Sequence, residues 1–180
     1  DVDILAVAHD PYKFLRTFPW NLHWRTLGPN LLNIGVFLFF QRQARIEFPN
    51  AKIIYIPHHL AHAASTFRCS GFREANIITV DGAGETETFT FFIGRDGKIE
   101  KIWDIPLAGF WGIRHPNSIG FVYSRVTNFL NLGVQGEGKT MGLASYGTPR
   151  FDFSTILNIR KHDDFSINRQ DIARKFGYLE

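Results

Sequence analysis

Pro57-His58-His59-Leu60-Ala61-His62-Ala63-Ala64-Ser65 and, one apolar strand later, Ile77-Ile78-Thr79-Val80-Asp81-Gly82-Ala83-Gly84-Glu85 decide the reading of this chain. The first stretch has helix-forming residues, and its spacing sets His58 and His62 four apart. On a helix their Cβ atoms lie about 5–6 Å apart on one face, close enough to share one ion. The second stretch is a strand that ends in an acidic glycine turn. It offers the Asp81 carboxylate beside the backbone N–H groups of Gly82, Ala83 and Gly84, a place to hold a cation and a phosphate together. Two imidazoles and one carboxylate make a facial donor set with open positions, which suits iron(II) or a similar divalent ion doing chemistry. His59 lies about 100° round the helix from His58. It reads either as a base for an acceptor hydroxyl or as a packing residue behind the ligands. Histidine pairs also occur as core residues, and Asp-Gly is a common turn. The combination, with small residues at 61 and 63–65 for close packing on a sheet, favours the site.

The chain of 180 residues is 44% apolar with 18 Phe and four Trp, enough for one domain with a core. Its net charge of +3 is small. The densest basic group, Arg160-Lys161-His162, runs straight into Asp163-Asp164. That is a solvated surface and not a nucleic-acid stripe. The single cysteine, Cys69, excludes an intrachain disulfide framework, reads as a buried apolar side chain and fits a reducing cytoplasm. The opening Asp1-Val2-Asp3 has no basic leader, and no initiator Met precedes it, so a processed product or fragment is expected. The apolar run from Leu31 to Phe40 is too short to span a bilayer and reads as the buried start of an amphipathic helix.

Along the chain, Ile4 to Ala8 reads as a short buried strand, followed by a loop with some short helix through Gly28-Pro29. Then come a helix from Leu31 to Phe48, a strand from Lys52 to Ile56 and the histidine helix from His58 to Phe67. Three strands follow, Asn76 to Val80, Glu87 to Ile93 and Lys98 to Ile105, the last two joined by the tight turn at Arg95-Asp96-Gly97. An aromatic and glycine-rich loop, Phe110 to Pro116, leads to helices at Ser118 to Leu130 and Glu137 to Tyr146. The polar tail from Arg150 suggests two weak helices. Strands and helices around a metal-and-phosphate turn are the plan of the ribonuclease H-like α/β fold of actin, the Hsp70 chaperones and sugar kinases, a mixed sheet flanked by helices.

A second motif narrows this further. Pro116-Asn117-Ser118-Ile119-Gly120-Phe121-Val122-Tyr123, then Thr127, then Gly136-Glu137-Gly138-Lys139-Thr140-Met141-Gly142-Leu143-Ala144-Ser145-Tyr146-Gly147 resembles the signature of the O-carbamoyltransferases of nodulation-factor and antibiotic biosynthesis, the NodU/CmcH type. The resemblance runs from about Asp3 to Gly147. It departs at Gly138, where a bulkier, often aromatic, residue is usual.

The resemblance implies transfer of a carbamoyl group from carbamoyl adenylate, made from carbamoyl phosphate and ATP, to a hydroxyl of a small-molecule acceptor. It implies that residues 1–180 are part of an N-terminal actin-like carbamoyl-transfer domain. The first strands, a later aspartate ligand and the adenylate-forming domain are then absent, and the piece is inactive alone. His58, His62 and Asp81 match the metal-binding residues; Gly82, Ala83, Gly84 and Glu85 match the nucleotide-contacting turn. Lys139 and Glu137 match a charged pair, Lys139 being a candidate phosphate-binding and catalytic cation or half of a surface ion pair. The expected partners are small molecules, with no membrane, and the pattern admits a homodimer. Two competing readings predict less: an actin-type ATP-binding module without transferase activity, and an interaction domain using Trp103, Phe110 and Trp111.

Overall fold

The computed structural model describes residues 2–11, 24–106, 117–133, 135–150, 152–161, 164–168 and 174. Strand β1 (Ile4–Val7) pairs in parallel with β2 (Lys52–Tyr55), Ile4 opposite Lys52 and Val7 opposite Tyr55. A parallel pair needs a long crossover, and helix α1 (Trp24–Glu47) lies within it. The helix starts seven residues before Leu31, so Gly28-Pro29 lies inside it and not in a loop. Propagation from the apolar run gains a hydrogen bond per residue fixed and outweighs the turn signal. Phe37 meets the Tyr55 ring at 5.5 Å, and Gln41 donates to the Tyr55 hydroxyl at 3.0 Å. The expected burial of this part is not found. Ile4 is exposed, as are Val36, Leu38, Phe39 and Phe40.

Helix α2 (His58–Ser70) packs its 59, 63 and 67 stripe on an antiparallel meander of β3 (Glu74–Val80), β4 (Glu87–Arg95) and β5 (Lys98–Pro106). Ala63, Phe67, Ile77 and Phe92 form the core, with Leu60, Ala75 and Ile99 against it. Burying a Phe side chain is worth about 1.5–3 kcal/mol. Phe67 uses a flat spot on the sheet: a Cβ at Gly94 would come within 2.7 Å of its ring. The β4–β5 turn has Asp96 at φ 46 and Gly97 at φ 77, the left-handed pair of a two-residue hairpin. On β4 the fully buried face carries Thr88 and Thr90, and the half-buried face carries Phe89 and Phe91. Thr88 Oγ1 donates to the Asn117 carbonyl, 29 residues away, at 2.8 Å, whereas the buried Thr90 hydroxyl has no partner among the described residues. Cys69 is exposed, contrary to expectation, since it sits off the 59, 63 and 67 stripe.

Helix α3 (Ile119–Phe129) is capped by Ser118 and packs on α4 (Glu137–Ala144). Thr127 and Thr140 share a buried hydroxyl contact at 2.7 Å, and Ser124 donates to Glu137 at 2.6 Å. The tail is a hairpin, β6 (Leu157–Lys161) against β7 (Asp164–Ile167), where two weak helices were expected. Leu157, Ile159, Phe165 and Ile167 alternate with polar residues, a period of two that the polar composition hides. The described strands thus form three separate small sheets in place of one mixed sheet. Parallel and antiparallel pairing occur in different sheets, since β1–β2 needs a helical crossover whereas the meander closes by short turns. Phe110 and Trp111 lie outside the described residues; Trp103 is half-buried against Phe89, ring centroids 5.1 Å apart.

Candidate metal centre

The start of α2 has no cap of its own, because Pro57 carries no side-chain oxygen. Glu85, from the turn between β3 and β4, supplies one. Its buried carboxylate accepts from the His58 N–H, 3.0 Å to Oε1 and 3.1 Å to Oε2, and from the Asp10 N–H at 2.8 Å. His9 Nδ1 lies 3.5 Å from the same oxygen. One negative charge therefore sits at the positive end of α2 and ties the exit of β1, the helix and the turn together. The Glu85 side chain faces inward and is fully buried.

With α2 seated so, His58 and His62 lie on one face and meet Asp81 at the end of β3. His58 Nε2 donates to Asp81 Oδ2 at 2.6 Å, and His62 Nε2 lies 3.0 Å from His58 Nε2 and 3.4 Å from Asp81 Oδ2. All three donor atoms fall within 4.8 Å of one another. Ligands about 2.1 Å from an ion and at right angles about it stand about 3 Å apart, so the donor set fits a small divalent ion. The other Asp81 oxygen, Oδ1, accepts from the Gly82 N–H at 2.6 Å, which leaves Oδ2 to the histidines. Burial works to raise the Asp81 carboxyl, but the hydrogen bonds from His58 and the Gly82 N–H and the charge of the histidines outweigh it, so its pKa is lowered. Asp81 is thereby kept as the anion that a cation needs.

The turn is less open than its sequence suggests. The Gly84 N–H donates to the Glu87 carbonyl at 2.7 Å, and Gly82 is taken by Asp81. The N–H groups of Ala83 and Glu85 have no partner among the described residues. Gly84 is needed for contact: a Cβ there would lie 2.6 Å from the His59 ring. His59 itself is turned into the core, 3% exposed, with Nδ1 2.7 Å from the Thr79 hydroxyl and Nε2 3.2 Å from the Glu87 carbonyl. Burial lowers its pKa against the pull of Glu87. With both ring nitrogens engaged, it is a packing residue that locks α2 to β3 and the turn, and the reading of His59 as the base is corrected.

Lys139 lies on another helix. It is exposed on α4, donates to the Leu132 carbonyl at 3.4 Å, and forms no ion pair with Glu137 among the described residues. Thr140, its neighbour, contacts Thr127, which is nine residues along α3 from Ser118 at the Asp81 turn. That places Thr127 about 13 Å from Ser118 along the helix axis. A hydroxyl donor at the turn was missed by sequence reasoning. Ser118 Oγ donates to the Gly82 carbonyl at 2.7 Å and the Asp81 carbonyl at 3.1 Å.

Residues 30–176 match the model of the carbamoyltransferase N-terminus. The chain belongs to the carbamoyltransferase N-terminus family. Nodulation protein NolNO of Sinorhizobium fredii is 35% identical over 103 residues, which is 57% of this chain and 14% of that protein. An uncharacterized protein of Synechocystis sp. is 32% identical over 120 residues, 64% of this chain and 18% of its own length. One of Methanocaldococcus jannaschii is 31% identical over 137 residues, 73% and 25% respectively. This carbamoyltransferase-family chain thus spans a quarter or less of the length of these relatives. No helix among the described residues is long and apolar enough to cross a membrane.

Proposed function

We propose that this chain supplies the metal-binding part of an O-carbamoyltransferase that moves a carbamoyl group from carbamoyl adenylate to a hydroxyl of a small-molecule acceptor. The observation that carries the proposal is the convergence of His58 Nε2, His62 Nε2 and Asp81 Oδ2 within 4.8 Å, in a member of the carbamoyltransferase family. The facial set of two imidazoles and one carboxylate suits iron(II). Such an ion supplies Lewis acidity toward the phosphate or carbamoyl oxygens of the adenylate. The chain's own residues do the rest of the visible work. Glu85 aims His58 by holding the first N–H of its helix, Gly82 directs Asp81, and Ala83 offers a backbone donor for a phosphate oxygen. ATP and carbamoyl phosphate are the proposed sources of the adenylate. The proposed setting is an N-terminal actin-like domain of the ribonuclease H-like class, of which residues 1–180 form a part.

The test is anaerobic incubation with labelled carbamoyl phosphate, ATP, iron(II) and a panel of polyhydroxylated acceptors. Labelled acceptor is expected from a polypeptide extended to the length of the relatives and not from residues 1–180 alone. Loss of His58 and His62 together should abolish it. Full labelling by the His58→Ala, His62→Ala protein would contradict the proposal.

A further inference from the structure

The backbone that carries the strand-end carboxylate is also held by the start of α3. Ser118 is fully buried, and its hydroxyl serves three backbone groups: it accepts from the Phe121 N–H at 3.2 Å as the helix cap and donates to the Gly82 and Asp81 carbonyls at 2.7 and 3.1 Å. Two residues on, Gly120 lies against the same peptide. A Cβ at position 120 would stand 2.4 Å from the Gly82 nitrogen and 2.7 Å from the Asp81 carbonyl carbon and the Gly82 Cα. These are backbone atoms, so no side-chain rotation could relieve the contact. The approach is fixed at its base by Thr88 of β4, which donates to the Asn117 carbonyl at 2.8 Å.

The contacts form a continuous path to the donor atom. Ser118 and Gly120 fix the peptide joining Asp81 to Gly82, its Gly82 N–H fixes Oδ1, and Oδ2 is left facing His58 and His62. We propose that Ser118 and Gly120 are positioning residues for the metal carboxylate, so that the start of α3 sets the affinity of the His58, His62 and Asp81 site. The assignment rests on the metal reading of that site. Groups that orient ligands in this indirect way change metal affinity by about 10–100-fold. A residue that only stabilised the fold would not.

The experiment is a cobalt(II) titration of the purified metal-free protein, followed by visible absorption, with thermal unfolding measured on the same samples. Ser118→Ala is expected to weaken cobalt(II) about 10-fold or more and to shift the absorption band, and Gly120→Ala to weaken it further. Thr127→Val serves as the control, because Thr127 is as buried as Ser118 and hydrogen-bonded on the same helix but far from the turn. It should lower the unfolding temperature yet leave cobalt(II) affinity and the band unchanged. Should Gly120→Ala fail to fold, Ser118→Ala and Thr127→Val still decide. Wild-type affinity in Ser118→Ala, or equal weakening in Thr127→Val, overturns the assignment while leaving the metal reading intact. Wild-type protein that binds no cobalt(II) overturns both.

Discussion

Helices α2 and α4 both carry distinctive strings of sequence, and they are built in opposite ways. Every side of α2 but the outermost is committed: residues 59, 63 and 67 enter the core, 58 and 62 meet Asp81, Glu85 closes one end, and Gly71, at φ 76, closes the other. On α4 only Thr140 is buried, Glu137 is anchored through Ser124, and Met141 and Leu143 are exposed, as is Tyr146 just beyond it. A distinctive string therefore need not mark the place of the chemistry. In α2 the string meets the core, Asp81 and Glu85, whereas in α4 it is anchored by two polar contacts to α3.

The contrast breaks most simply at the core. Phe67→Ala should cost about 3–5 kcal/mol in urea unfolding, and Leu143→Ala should stay within about 0.5 kcal/mol of wild type. A larger loss at Leu143 than at Phe67 would erase the distinction between the helices. Next comes Glu85→Ala, which removes this acceptor from the part-buried N–H groups of Asp10 and His58 and should cost about 1–3 kcal/mol in all. Glu85→Gln keeps an acceptor and should lose less; equal losses would show that hydrogen bonding is not what the carboxylate contributes.

The smallest effect is a pH dependence confined to α2. His59 has a lowered pKa in the folded protein, so its neutral form is the one the fold accepts. Above the ordinary value of 6.5 both folded and unfolded states are neutral there and the contribution is fully present. As the pH falls below 6.5 the unfolded chain takes up the proton first, and stability falls until the folded His59 also protonates. Metal-free protein should thus lose stability as the pH drops below about 6.5, and His59→Asn should flatten that slope. An identical slope in the variant would place the titrating group elsewhere.

The helical spacing of His58 and His62 and the strand-end position of Asp81 were legible because periodicity alone fixes them. The meander was legible too, since Asp96-Gly97 permits little but a two-residue turn. Glu85 was not: its partner His58 is 27 residues away and Asp10 is 75 residues away, so nothing local reveals a cap. Ser118 is 36 residues from Gly82, and its role was hidden behind its equally good reading as the cap of its own helix. His59 was legible only as one of two roles, because residue type announces chemistry whereas burial, 3% exposure here, decides whether the group can reach it.

The most direct test of the account is anaerobic metal analysis after dialysis against iron(II), comparing wild type with His58→Ala and His62→Ala. The expected result is partial iron occupancy in wild type and a loss of most of it in each variant, since removing one of three ligands leaves a pair too weak to survive dialysis. Equal iron in wild type and both variants, or none in any of them, would contradict the claim that His58, His62 and Asp81 form a metal site.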